Sequence, residues 1–226
     1  MHNVTLTGTI VHGPRLSFRN QEPHVELFLR THTHEVGLFG AVGATINSHL
    51  IHAQGKLALE LWTRQPHDRI SIRGDLIWTT FPCEPDDCRT FVHVEAGEIA
   101  FHMGSTTPDR NLVELTATLI HRPSPMWDGM TRGVVTLAPR GDIDHHLLTV
   151  LAVGQAAPIL ADAIPGETLL FTGHLHTDLF EPCDCKLRVQ AHLLASMVTR
   201  SEEGEGHGGF GVVCGGWGME AVVMVN

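Results

Sequence analysis

A chain of 226 residues has room for one large domain or two of about 100 residues each, and its 42% apolar content is that of a globular protein, not a disordered one. The formal charge of −10 excludes a chain that grips nucleic acid through an overall basic surface, though a groove on an acidic protein can be locally basic. The longest apolar run, Leu147–Gly154, is far short of the roughly 20 residues a membrane-spanning helix needs, and no apolar leader follows Met1-His2-Asn3, so an intracellular protein with no membrane contact is expected.

Taken in order, Val4–Val11 alternates apolar and polar residues, the pattern of a strand with one buried face. His12-Gly13-Pro14 reads as a break and Asn20-Gln21-Glu22-Pro23 as a turn, after which His24–Arg30 alternates again. A third strand is expected within Thr45–Ala53. Leu57 and Leu61, four apart, fit a short helix over Lys56–Trp62, with Trp62 expected in the core. Arg69–Thr80 is a long strand, and Gly74 inside it predicts a bend or bulge. Beyond a Pro/Cys/Asp tip at Pro82–Cys88, a last strand runs over Thr90–Ala96 and Ile99–Met103, with a break at Gly97. Three strands, a helix and a two-strand hairpin make the element order of a five-stranded Greek-key OB barrel, with the helix between strands three and four.

The opening stretch then returns. Val4–Phe18 (VTLTGTIVHGPRLSF) aligns with Val113–Trp127 (VELTATLIHRPSPMW), keeping Leu6/Leu115, Thr7/Thr116, Thr9/Thr118, His12/His121 and Pro14/Pro123 in register. Such self-similarity indicates tandem duplication. The second half repeats the order: strands at Val113–Ile120, Gly133–Ala138 and Leu147–Val153, a helix at Gln155–Ala163, then strands at Thr168–Leu179 and Leu187–Met197, with Gly173 in the place of Gly74. The expected organisation is all-β, with one OB barrel over residues 1–104, a linker at 105–111, a second barrel over 112–199, and a Gly/Glu-rich tail at 200–226 with an apolar end.

Particular motifs carry a resemblance. Gly8 through Pro14 to Phe18, Gly55-Lys56-Leu57-Ala58 at the helix start and Ile70–Leu76 (ISIRGDL) in the first half resemble the OB domain of bacterial single-stranded DNA-binding proteins, as do Gly154-Gln155-Ala156-Ala157 and Leu169–Leu175 in the second. The chain is similar in plan to members of that family with two OB domains per chain. The resemblance implies a non-enzymatic protein that binds single-stranded DNA in replication, repair or recombination. It also implies a cytoplasmic, nucleoid-associated location, a homodimer presenting four OB folds, and contacts with replication or repair proteins. It further implies that the first strand, present twice, packs the two copies as a built-in dimer. The aromatic residues this family carries around its third strand are missing from Ser48–Gln54 and Leu148–Val153, and its acidic C-terminal tip is absent.

An OB groove holds a single strand by stacking bases on aromatic rings and binding phosphates through Arg or Lys. In the first half the candidates are Arg15, Phe18, Arg19, Arg30, Lys56, Trp78, Phe81 and Arg89. In the second they are Trp127, Arg132, Phe180, Lys186 and Arg188. The first half is more basic and is the expected binder if the halves have diverged. Cys83, Cys88, Cys183 and Cys185 sit at equivalent hairpin tips. They are compatible with a tetrahedral zinc site, a Cys83–Cys88 disulfide or free thiols. His12 and His121 are expected to buttress the turns before Pro14 and Pro123. No nucleophile–base pair, phosphate loop or paired-carboxylate motif appears. The acidic balance and the missing third-strand aromatics leave an alternative open: a tandem OB scaffold that has lost DNA binding and works through protein contacts.

Overall fold

The computed structural model describes residues 2–36, 42–84, 87–102, 107–126, 129–136, 147–180 and 188–200, with backbone alone at 34–36, 42–44, 79–84, 87–90, 178–180 and 188–190. In the first half, β1 (His2–Arg19) buries Val4, Leu6 and Ile10 on alternate positions, as period-two patterning requires. It is followed by β2 (Glu22–Val36), β3 (Val42–Gln54), α1 (Gly55–Trp62), β4 (Arg69–Glu84) and β5 (Asp87–His102). The strands close in the order β1-β2-β3-β5-β4-β1, antiparallel except where β3 meets β5. Ala58 and Leu61 of α1 are buried against the core.

The second half comprises β6 (Arg110–Leu119), the two-residue β7 (Ser124–Pro125), β8 (Thr131–Thr136), β9 (Leu147–Ala152), α2 (Ala156–Ala161), β10 (Thr168–Phe180) and β11 (Arg188–Arg200). It closes the same way, β6-β8-β9-β11-β10-β6, with β9 parallel to β11. Both halves are OB barrels. Gly55 and Gly154 occupy the same place ahead of their helices with φ of +59° and +56°, a conformation that favours glycine.

Three expectations change. The break at His12-Gly13-Pro14 does not end the strand: β1 runs on to Arg19, its pairing with β2 slipping between Ile10 and Arg15. A bulge absorbs the Pro there, since its missing N–H costs nothing at an irregular position. The break at Gly97 is likewise a bulge within a continuous β5, with Arg73 opposite Glu98 and Gly74 opposite Ala96. Gly74 is required at that bulge, because a Cβ would lie 2.0 Å from the Glu95 carbonyl oxygen; Gly173 meets the Leu194 carbonyl at the same distance. Trp62, expected in the core, is 48% exposed, because α1 buries its Ala58/Leu61 side and Trp62 lies one residue past that stripe.

The barrels are joined through β1 and β6, which pair antiparallel from His2↔Leu115 to Thr7↔Arg110. Val4 lies opposite Val113, its own counterpart in the repeat. That self-pairing is the mark of an isologous, two-fold contact, here made within one chain. The β2–β3 hairpin adds a second seam. Ser48 N donates to Thr177 Oγ1 (2.9 Å) and Thr177 N donates to Asn47 Oδ1 (3.0 Å). The carboxylate of Asp109 accepts from the backbone N–H of His32 (2.7 Å), contacts the His32 imidazole, and accepts from Arg69. Burial alone would raise the Asp109 pKa, but these donors outweigh it and hold the carboxyl below its ordinary value.

Candidate nucleic-acid interface

The register of β1, β2, β3 and β5 determines which side chains share the outer wall of the first barrel. Val25, Leu27 and Leu29 point inward, so Glu26, Phe28 and Arg30 face outward. Arg15 of β1 lies opposite Glu26, Glu26 opposite His52 of β3, and His52 opposite Glu95 of β5. Phe28 lies opposite Leu50 and Arg30 opposite Ser48 on the same wall. Arg19 reaches Glu26 at 3.8 Å. Phe18, at the end of β1, is 66% exposed. The wall thus brings Arg15, Arg19 and Arg30 onto one face, groups that can hold phosphates, while Phe18, opposite Pro23, has the other parity and is exposed only because β1 ends there.

The same wall carries a feature that residue types alone did not reveal. His52 and His93 stack with ring centroids 4.1 Å apart and an interplanar angle of 29°. His52 Nε2 lies 3.7 Å from Glu26 Oε1, and His93 Nε2 lies 3.8 Å from Glu95 Oε2. Burial, with smaller contributions from His93, Arg19 and His24, lowers the His52 pKa to about 4. Burial also lowers that of His93, against the opposing pull of Glu95 and Glu26. Both imidazoles are therefore neutral at pH 7. The first barrel lacks aromatic rings on its third strand, and this imidazole pair occupies that part of its wall. A signal for it existed in the alternation of His52 with buried Ile51 and Ala53, but its partner 41 positions later (93 against 52) became visible only through the β3–β5 pairing.

The remaining candidates are distributed differently. Lys56 is exposed at the start of α1, in an i,i+4 pair with Glu60 at 3.5 Å. Trp78 is not an interface residue: at 2% exposure it belongs to the first barrel's core, with the His2 ring edge-on at 6.2 Å. Its position in β4 is of inward parity with Leu76, which is why it cannot reach a bound strand. Arg132 is exposed on β8, on the outer wall of the second barrel. Phe81, Arg89, Trp127, Phe180, Lys186 and Arg188 lie outside the described side chains, as do Cys83, Cys88, Cys183 and Cys185. Among the described residues no group of three or more His, Cys, Asp or Glu is placed to hold a metal ion. His12 is exposed, with its ring edge-on to Phe28 at 6.1 Å.

No family model matches the chain, and no curated protein matches it in sequence. Solved structures do. The wild-type single-stranded DNA-binding protein from Thermus aquaticus is similar over 92% of this chain and 97% of its own, with 21% identity and a TM-score of 0.71. A deletion variant of the same protein gives 91% and 97% coverage, 20% identity and a TM-score of 0.73. The likeness extends across both barrels and shows that this chain has the tandem OB fold of those structures.

Proposed function

We propose that the chain is a non-enzymatic single-stranded DNA-binding protein of the two-OB-domain kind, acting in replication, repair or recombination in the cytoplasm. The observation that carries this reading is the outer wall of the first barrel, where Arg15, Arg19 and Arg30 share one sheet face, with Phe18 exposed at the end of β1. The Thermus aquaticus protein, with the same tandem fold, is a single-stranded DNA-binding protein, which supports the same role here. A strand laid across the wall would set its phosphates on the guanidinium groups and, where it rounds the end of β1, a base on Phe18. Titration of labelled oligo-dT, with a duplex of equal length as competitor, tests this. Saturable binding that the duplex does not displace is expected; equal affinity for both, or none for either, would refute it.

Two further elements of the proposal have their own checks. A homodimer presenting four OB domains predicts a sedimenting species of twice the chain mass. Because β1 is already consumed by pairing with β6, such a dimer must use another surface. Zinc held by Cys83, Cys88, Cys183 and Cys185 predicts one tightly bound zinc ion per chain by metal analysis, absent after cysteine substitution. The alternative, a tandem OB scaffold acting through protein contacts, is favoured by one observation, the carboxylates Glu26 and Glu95 on the first wall. The oligo-dT titration separates the two.

A further inference from the structure

The two barrels share a topology but not the chemistry of the equivalent strip on their outer walls. Ile51 lies between Leu27 and Val94 in the first barrel, and Val150 between Gly133 and Leu193 in the second, which aligns the two frameworks residue by residue. The neighbouring outward strip reads Arg15–Glu26–His52–Glu95 in the first barrel and Ser124–Arg132–Leu151–Leu194 in the second. The first strip holds two carboxylates and an imidazole where the second holds a guanidinium and two leucines.

Charged and titratable groups approach the imidazole pair from four strands. Arg19 and Arg15 come from β1, His24 and Glu26 from β2, and Glu95 from β5 beside His93 itself, while Asp75 of β4 lies opposite Glu95, whose carboxylate also accepts from Gln54 Nε2. His52 Nε2 is shielded from solvent and has no hydrogen-bond partner among the described residues, so a proton placed there meets Glu26 Oε1 at 3.7 Å. With both rings neutral, Glu26 and Glu95 leave the centre of the wall anionic and opposed to a phosphodiester backbone. With both rings charged, the carboxylates are paired and the arginines are left to face the strand.

We propose that the first barrel's wall is a proton-gated half of the nucleic-acid interface, in which the His52–His93 pair takes up protons as an anionic strand binds. The second barrel's wall has Arg132 in place of Glu26 and leucines in place of His52 and Glu95, so its own imidazole pair, His176 and His192 at 4.7 Å, lacks the two carboxylates that create the gate. The proposal rests on the DNA-binding reading above and assigns its regulation to a specific pair. A ligand that favours the protonated form must bind more tightly as the pH falls, by thermodynamic necessity.

Fluorescence anisotropy of labelled oligo-dT on the full chain, at constant salt between about pH 7.5 and about pH 4, tests it, because thymine does not titrate in that range and the window reaches the free-state value of His52. Wild-type affinity is expected to rise at least about fivefold, and the double variant His52→Gln/His93→Gln to change less than about twofold. Glu26→Gln/Glu95→Gln removes the repulsion directly and is expected to bind at the higher pH as the wild type does at the lower. Arg132→Ala is expected to weaken binding by the same factor at both pH values. Circular dichroism at each pH confirms that the variants remain folded. A wild-type affinity that is flat with pH, or a double histidine variant that retains the full pH dependence, would overturn the proposal while leaving DNA binding intact. No binding at any pH would overturn both.

Discussion

At the scale of single residues, exposure separates two aromatic residues that look alike in sequence. Phe18 is exposed and Trp78 is buried, so their substitutions fail in opposite ways. Phe18→Ala is expected to weaken oligo-dT binding by about 1–3 kcal/mol, the worth of one stacked base, with an unchanged melting temperature. Trp78→Ala is expected to lose about 3–5 kcal/mol of stability in denaturant titration, the cost of emptying a large core site. Nothing local in the sequence distinguishes them, since parity within β4 decides Trp78 and the overrun of β1 decides Phe18. His49 is a third case. It is fully buried, its Nε2 meets Thr31 Oγ1 at 2.9 Å, and burial, aided by His174, lowers its pKa to about 3. Its folded-state pKa is depressed, so the unfolded chain binds the extra proton between the two values. Stability is therefore complete above pH 6.5 and falls as the pH drops toward 3, by at most about 1.4 kcal/mol per pH unit from this group. Denaturation at several pH values should show that slope, and His49→Gln should flatten it.

At the scale of elements, most strands were legible because alternation is a direct print of one-sided burial, and the matched glycines marked the bulges. What alternation does not encode is how a strand passes an irregularity. His12-Gly13-Pro14 and Gly97 look like ends, yet neighbouring strands supply enough pairing to carry β1 and β5 across them. The cost of disturbing such a bulge is testable: Gly74→Ala forces a Cβ onto the Glu95 carbonyl, and a loss of about 1–3 kcal/mol in stability is expected by thermal melting. Trp62 lies outside the buried face because a two-turn helix buries only a narrow stripe. The segment at Asp109 joins three elements, the β2–β3 hairpin through His32, the start of β4 through Arg69 and the start of β6 in sequence. Asp109→Asn should cost about 1–3 kcal/mol, since it weakens charge-assisted bonds to two partners at once.

At the scale of the whole molecule, the repeat foretold two barrels and their order, and the β1–β6 pairing turned that repeat into an internal two-fold. The divergence of the two walls stayed hidden, because Glu26, His52 and Glu95 lie far apart in sequence and meet only across three strands. The first half's larger count of arginines therefore overstated its advantage as a binder, since its wall also carries the two carboxylates. Continuous pairing across the β1–β6 seam predicts that both halves unfold together in a single calorimetric transition; two resolved transitions would show the seam to be weak. The tandem fold is proposed above all to hold a single strand through phosphate pairing and base stacking. The most direct test is the affinity of the intact chain for labelled oligo-dT at about 50 mM and about 200 mM salt, for the wild type and for Arg15→Ala/Arg19→Ala/Arg30→Ala. The wild type is expected to bind and to weaken steeply with salt. The variant is expected to bind less tightly, with a slope shallower by about 0.7 for each phosphate that the arginines no longer neutralise. Absence of wild-type binding at the lower salt, or a variant with the same affinity and slope, would contradict it.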